Sequence, residues 1–482
     1  MSIVIETIGL HVQNMRTRFP FQYGIASLVA LPHLFVRLRA NIGGVKAEGL
    51  AADGLPPKWF TKDPETHFTE DLGDMLAVIR HAVEAALDRG ESETVFEAWQ
   101  KIHDAQEAWA KATPFPPLLW AFGVSLIERA LIDAHCRCTG RTFAQSVGTN
   151  TLGIRLEAIH PELGESSPRD WLPQKPLRSI RVRHTVGLAD PLTAGDIPED
   201  ERLDDGLPHS LEENIAAYAL THLKIKLSGD AERDLARLKC IRGLMGDGNS
   251  CAFTLDGNEQ YTEVGPFRTL WESILSDTDM SDFMKGLIFV EQPLHRAVAL
   301  NEEARHAMMD WASQPPMIID ESDETLTTFK DSVALGYRGV SSKACKGMIK
   351  ALANLALCHK LSDAEGIPGR YVLTGEDLTN VPVIALNQDL AHLAALGVTH
   401  AERNGHHYVR GLDYLPDSER NACAERHAGL YERLEDGLVA LAIHDGRIQV
   451  VSLQIPGLGV GVEVERDAMI PLDGWRPEDL QA

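Results

Sequence analysis

The chain has 482 residues, of which 44% are hydrophobic and 24% charged, with 70 acidic against 46 basic side chains and a formal net charge of −24. This length suits a barrel of about 250 residues plus a second module, and the composition is that of an ordinary globular protein with ample material for a core. A surface this acidic repels phosphate backbones and anionic lipid, which sets nucleic-acid and membrane-surface roles aside, and no run of about 18 apolar residues is present to span a bilayer.

No basic segment followed by an apolar stretch opens the sequence, and Met1 to Leu10 reads directly as a strand. The seven cysteines are scattered, an odd count without a framework of spacings, which argues for reduced thiols and a cytoplasmic location. Cys136 and Cys138 beside His135 look like half a metal site, but no second Cys/His pair completes it; they read as buried helix cysteines.

The first 40 residues alternate in strand fashion, with apolar runs at Ile3-Val4-Ile5 and Leu34-Phe35-Val36. A helix is predicted to start at Asp63-Pro64, a capping residue followed by proline at the first helical position. Phe68, Leu72, Met75, Ile79, Val83 and Leu87 follow at helical spacing. A second helix is expected from Glu91 to Ala112, stopped by the prolines at 114, 116 and 117, and a third from Leu118 to Cys138. Strands followed by helices describe an α+β domain.

From about residue 180 the pattern becomes a strict alternation of short apolar strands and amphipathic helices. A first strand covers Arg181 to Gly187, flanked by two proline-, glycine- and acid-rich segments, Glu157 to Arg178 and Ala189 to His209, that read as inserted surface loops. Then come Leu223 to Leu227, Cys251 to Leu255 running into Asp256, Leu287 to Val290 into Glu291, and Met317 to Ile319 into Asp320. Gly339 to Ser342 runs into Lys343, Tyr371 to Thr374 towards Glu376, and Val398 opens a last strand towards Glu402. The gaps from Lys226 through Asp256, Glu291, Asp320 and Lys343 to Glu376 are 30, 35, 29, 23 and 33 residues. One unit of an eight-fold (β/α) barrel takes about 31 residues, and the polar residue ending each strand would lie at the C-terminal mouth, where barrel enzymes keep their chemistry. The predicted architecture is an α/β (β/α)8 barrel over residues 126–429, an α+β capping domain over 1–125, and a C-terminal segment, 430–482, that packs back on the cap.

Asp256, Glu291 and Asp320 come from three consecutive strands. Carboxylates converging near 4 Å would repel one another by about 4 kcal/mol at an effective dielectric of 20, so a cation is expected among them. Oxygen-only ligands favour Mg2+ over zinc or copper. Lys224 and Lys226, two apart on one strand, share a face, and two ammonium groups beside a cation disfavour one another's charge, so that one is lowered towards a general base. On the far side stands Lys343. Lys346, three residues on, has opposite strand parity, so at most one of them faces inward; Lys343 is preferred because it directly follows the strand, whereas Lys346 begins the turn at Gly347.

Lys224-Ile225-Lys226, Leu255-Asp256-Gly257-Asn258-Glu259, Val290-Glu291-Gln292-Pro293, Ile319-Asp320-Glu321-Ser322 and Lys343 to Gly347 resemble, in order, the motifs of the enolase superfamily, in its muconate-lactonizing-enzyme-like subgroup. Ala130 to Asp133 and the tail Ile455 to Val460 are similar to it as well. That superfamily uses a Lys or His base with Mg2+ to stabilise an enolate. The resemblance implies Asp256, Glu291 and Asp320 as Mg2+ ligands, Lys226 and Lys343 as acid/bases on opposite faces, and Lys224 on the substrate carboxylate. Asn258, Glu376 and Tyr23 would bind substrate, with Phe19 to Ala26 as a mobile lid loop and Gly49 to Trp59 as a second lid segment.

The implied activity is removal of the α-proton of a small carboxylate substrate, leading to racemisation, epimerisation or cycloisomerisation, in a homo-oligomer as is usual among the relatives. Dehydration of an acid sugar or similar hydroxy acid is the alternative. The mandelate-racemase subgroup fits poorly, because Lys343 and Glu376 stand where it has Asp and His, and His400-Ala401-Glu402-Arg403 lacks the Asp-x-Asp of dipeptide epimerases. A metal-dependent hydrolase would need His-x-His on the first strand, which offers only His184; a non-catalytic metal binder would have no use for Lys226 and Lys343. Gly457, Gly459 and Gly461 lack a following helix and read as a tight packing turn rather than a nucleotide loop.

Overall fold

In the computed structural model, which describes residues 2–246, 251–465 and 468–480, the chain begins with a long antiparallel hairpin, β1 (Ile3–Tyr23) and β2 (Ala26–Ile42), joined by β3 (Val45–Gly54). Three helices follow, α1 (Phe68–Asp88), α2 (Val95–Ala110) and α3 (Pro117–Cys138). The first starts five residues after Asp63, the expected cap. Asp63 instead closes a turn by accepting from Glu65 N, and His67 is the N-cap, its N–H taken by Glu70.

α3 lies on β3 at a distance that only a glycine permits. A Cβ at Gly49 would come within 2.0 Å of Ala130 O and 2.4 Å of Ala134 N. The buried Asp133 of α3 then ties three segments together, accepting from Leu50 N at 3.0 Å, Arg137 Nε at 2.7 Å and Leu458 N at 2.7 Å. The glycines of the tail form the expected packing turn. Gly457 has φ +107 and Gly459 φ +81, and a Cβ at Gly459 would meet Asn387 O at 2.9 Å. The position after residue 125 falls inside α3.

Eight parallel strands make the barrel: β4 (Ser179–Val186), β5 (His222–Lys226), β6 (Ala252–Asp256), β7 (Leu287–Glu291), β8 (Met317–Ile318), β9 (Gly339–Ser342), β10 (Val372–Gly375) and β11 (His400–Arg403). They pair in the order β8-β7-β6-β5-β4-β11-β10-β9, and a bridge between Ile319 and Val340 joins β8 to β9 and closes the ring. Every barrel strand read from the sequence is present within one or two residues, whereas the first strand of the cap, read over residues 1–10, runs on to Tyr23. The C-terminal segment contributes β12 (Tyr431–Arg433), β13 (Val439–Leu441), β14 (Arg447–Gln449) antiparallel to β4, and β15 (Ile470–Pro471) on the outer edge of β1. Residues 466–467 and 481–482 of that segment lie outside the described residues.

The two segments flanking β4 run over the surface, each anchored by a few buried side chains. Between 157 and 178 the chain makes short 3-10 turns that bury Ile159 and Leu163, and His160 reaches Asn354 at 2.9 Å. Cys136 is buried and Cys138 half-buried, all seven cysteines are free thiols, and no helix among the described residues is long and apolar enough to cross a membrane.

His33 and His392 are each 1% exposed, and neither ring nitrogen of either has a hydrogen-bond partner. Burial, reinforced by the Arg129 charge, pushes both down to about 3. A histidine that is neutral when folded and charged when unfolded contributes stability that is complete above its ordinary value near 6.5 and is lost as pH falls towards 3. At pH 5 each such group costs about 2 kcal/mol. In His392→Leu the loss of urea-unfolding free energy between pH 8 and pH 5 is therefore expected to shrink by about 2 kcal/mol. An unchanged pH dependence would mean that His392 is not held neutral by the fold.

Candidate active site

Strand alternation brings Lys224 and Lys226 to the barrel interior from β5, and the register Lys226↔Asp256↔Glu291 sets the next two ionisable groups level with them. Asp320 follows β8, Lys343 follows β9, Glu376 follows β10, and Glu402 lies in β11, one residue before its end. All eight are buried. The backbone is forced where the motifs turn. Asn258, Glu259 and Gln292 have φ of 41°, 63° and 34°, a region that costs a residue with a side chain roughly 1 kcal/mol or more. Gln292 secures the turn by accepting from Asp320 N at 2.8 Å and Ser322 N at 3.2 Å.

The ammonium of Lys224 is enclosed by Asp256 Oδ2 at 3.0 Å, Glu291 Oε2 at 2.8 Å, Glu376 Oε2 at 2.8 Å and Glu402 Oε2 at 2.9 Å. Lys226 meets Asp256 Oδ2 at 2.6 Å, and Lys343 meets Asp320 Oδ2 at 2.6 Å. The indole of Trp59, from the cap, lies 4.6 Å from the Lys343 ammonium. Lys346 turns the other way, to Ser341 Oγ at 2.6 Å, Asp320 O at 3.1 Å and Asp323 Oδ2 at 3.4 Å. Beneath this layer the buried Arg183 of β4 donates to Thr254 Oγ1 at 2.9 Å, Thr374 Oγ1 at 3.0 Å, Gly375 O at 2.8 Å and Glu376 Oε1.

These contacts set the protonation states. Burial would lower Lys224, but its four carboxylates hold it well above the ordinary lysine value. Against the same cost of burial, Lys343 and Lys346 hold Asp320 far below the usual carboxylate range. Glu291 is pushed well above it by burial and by repulsion from Asp256 and Glu376, so the lysines alone leave that carboxylate under-compensated.

Between barrel and cap lies a small cavity of about 20 Å³. Lys226, Asn258, Lys343, Asp377, Glu402 and Asn404 reach it from the barrel, and Phe21, Tyr23, Pro56 and Trp59 close it from the cap. Lys226 and Lys343 thus face one space, while Lys224 and Glu376 do not reach it and sit in the charge network below. Asn258 and Tyr23 line the cavity; Tyr23 also donates to Pro57 O at 2.9 Å. Phe19 to Ala26 is no loop: it is the tip of the β1–β2 hairpin, paired up to Tyr23↔Ala26. Of the second lid segment, residues 49–54 belong to β3, and only the stretch up to Trp59 lies over the cavity. The sequence reading marked Glu402 as a strand end without giving it a role, and Arg183, Asp377 and Asn404 carried no signal, since a single polar residue on a strand does not announce its partner. A larger cavity, about 750 Å³, lies between β2 and the tail near Phe35, Arg37 and Val460, away from the ionisable cluster.

The donor set fits a hard cation. It is all oxygen, and Glu291 Oε2 and Asp320 Oδ2 are buried and accept no hydrogen bond, being met only by the Lys224 and Lys343 ion pairs. Ammonium groups stand between the three carboxylates. Among the described residues only His103, Asp104 and Glu107 on α2 bring three ligand atoms within 4.8 Å of one another; none of the three carboxylates of the motifs is among them, and Asp104 and Glu107 there are exposed.

No protein-family model matches the chain, and no curated protein does. Solved structures do. An N-succinyl Arg/Lys racemase from Bacillus cereus superposes with a TM-score of 0.59 at 14% identity over 97% of each chain. A muconate lactonizing enzyme from Pseudomonas fluorescens gives 0.59 at 16% identity, over 96% of this chain and 98% of its own. The fold is that of the mandelate racemase/muconate lactonizing enzymes. A dipeptide epimerase from Enterococcus faecalis, complexed with Mg and a dipeptide, has the same mandelate racemase/muconate lactonizing enzyme fold, with a TM-score of 0.60 at 14% identity over 95% of this chain and 99% of its own.

Proposed function

We propose that this chain is a Mg2+-dependent enzyme that removes the α-proton of a small carboxylate and stabilises the enolate, with racemisation or epimerisation as its outcome. The observation that carries the reading is that Lys226 and Lys343, from β5 and from the end of β9, reach one cavity from different sides of the barrel. Asp256, Glu291 and Asp320 would hold the cation, which supplies electrophilic stabilisation for the carboxylate as charge moves onto it. Lys226, in its neutral form, takes the proton from Cα, and Lys343 delivers one to the opposite face. Lys224, held by four carboxylates, fixes the spacing of Asp256 and Glu291. Phe21, Tyr23 and Trp59 keep water from the carbanion and present an apolar wall to the substrate's side group.

The test is incubation of the Mg2+-loaded protein in deuterated water with a pooled library of N-acyl amino acids, dipeptides and acid sugars, read by mass. Deuterium entering a compound together with inversion is the expected result. A product lighter by water would replace this reading with β-elimination, and no exchange with Mg2+ demonstrably bound would replace it with a non-catalytic one. By calorimetry, Asp320→Asn is expected to weaken Mg2+ binding on the order of 100-fold, since it removes one of three anionic ligands.

A further inference from the structure

The segment 189–209, which the barrel does not need for its strands, lies against the hairpin that covers the cavity. Arg18, three residues before the lid side chain of Phe21 and beside the break in the regular ladder, has a side chain only 2% exposed. Its guanidinium donates to Asp205 Oδ2 at 2.6 Å and Oδ1 at 2.9 Å, to Leu207 O at 3.2 Å, to Pro208 O at 3.1 Å and to His407 O at 2.6 Å. Apart from that last carbonyl, every acceptor belongs to the segment. The next residue, Phe19, lies with its ring 4.6 Å from that of His209. At the other end of the segment, Asp190 Oδ2 accepts from Tyr408 Oη at 2.7 Å, and the Tyr408 ring stacks on Phe21 at 4.0 Å. So one end of the segment holds the hairpin directly, and the other holds it through Tyr408, next to Phe21 and Tyr23, which are two walls of the cavity.

We infer that segment 189–209 is a strap that holds the lid hairpin shut, with Arg18 and Asp205 as positioning residues whose bidentate contact must open before a substrate can enter. A space of about 20 Å³ has room for little more than one water molecule, so no carboxylate substrate reaches Lys226 and Lys343 while the hairpin stays down. The hairpin's own strand ladder cannot supply this restraint, because its register breaks between Arg16 and Phe21, where the strap is attached. The inference rests on the proposed site only in what the lid admits; the restraint itself is a property of the fold.

Hydrogen exchange of the full chain, read by mass, separates the two. In Arg18→Met and in Asp205→Asn, amides of residues 19–28 are expected to exchange about tenfold faster, a change in keeping with loss of a charge-assisted bidentate contact. Exchange in α1–α3 and in the barrel strands stays as in the parent, Asp205→Glu restores protection, and the double variant exchanges no faster than either single one. Unchanged protection of 19–28 in both single variants would overturn the strap, as would loss spread over the whole cap. Asp205, at the more exposed end of the contact, keeps the test available if Arg18→Met does not fold. Failure of α-proton exchange in every compound would sink the enzyme reading and leave this result standing.

Discussion

Replacing Lys226 by methionine should abolish inversion at Cα and remove α-proton exchange for one enantiomer only. General acid–base catalysis by a positioned side chain is worth roughly 100- to 10,000-fold, so the loss should lie in that range. Lys343→Met should do the same for the other enantiomer. The reasoning is geometric: each lysine reaches the shared cavity from its own strand, so each serves one face of the enolate. With only one lysine left, a proton can leave and a deuteron return on the same face, giving exchange without inversion. Incubating each enantiomer separately in deuterated water and resolving the products by chiral chromatography and mass checks this. If either variant silenced both enantiomers equally, the two-base arrangement would be wrong, and one lysine would have only a structural or electrostatic role.

The second large effect concerns stability. Arg183→Met leaves Glu376, which is also fully buried, with one ion-pair partner in place of two, and strands the acceptors Thr254 Oγ1, Thr374 Oγ1 and Gly375 O. Removing one member of a buried ion pair typically costs about 3–5 kcal/mol, because the partner stays buried and uncompensated. Urea unfolding should report a loss of that size, and in Arg183→Met/Glu376→Leu much of it should return, since the orphaned charge is gone. A loss below about 1 kcal/mol in the single variant would show that water or Lys224 takes over the guanidinium's place.

The barrel was legible because its signal is local. An apolar strand ending in a polar residue can be marked without knowing its neighbours, and repetition at one spacing turns eight weak marks into a ring. The placement of Asp256, Glu291, Asp320, Lys226 and Lys343 at the barrel mouth was legible for the same reason: each ends a strand or follows one within two residues. What failed depended on partners from distant segments. The resemblance puts Lys224 on the substrate carboxylate, but four carboxylates from β6, β7, β10 and β11 enclose it below the cavity. The same holds for Glu376, expected at the substrate and found below it, bound to Arg183. The hairpin tip is a different kind of miss. Phe21, Tyr23, Ala26 and Leu28 alternate with the exposed Gln22, Ser27 and Val29, a period of two that marks a strand, but the resemblance to a family lid outweighed it.

The edge of the cap sheet has a consequence for how the protein is made. β1 is bordered on one side by β2 and on the other by Ile470 and Pro471, with His11 opposite Pro471, while Trp475 Nε1 donates to Asn14 Oδ1 at 2.9 Å. Those partners leave the ribosome some 460 residues after β1 does. At a synthesis rate of about 5–20 residues per second, the outer edge of β1 stays unpaired for roughly 20–90 seconds in every nascent chain. For that interval the stretch around His11 and Val12, which Ile470 and Pro471 later cover, is open to pairing with other nascent chains, so slowed translation of this message should raise its aggregation before it lowers its activity.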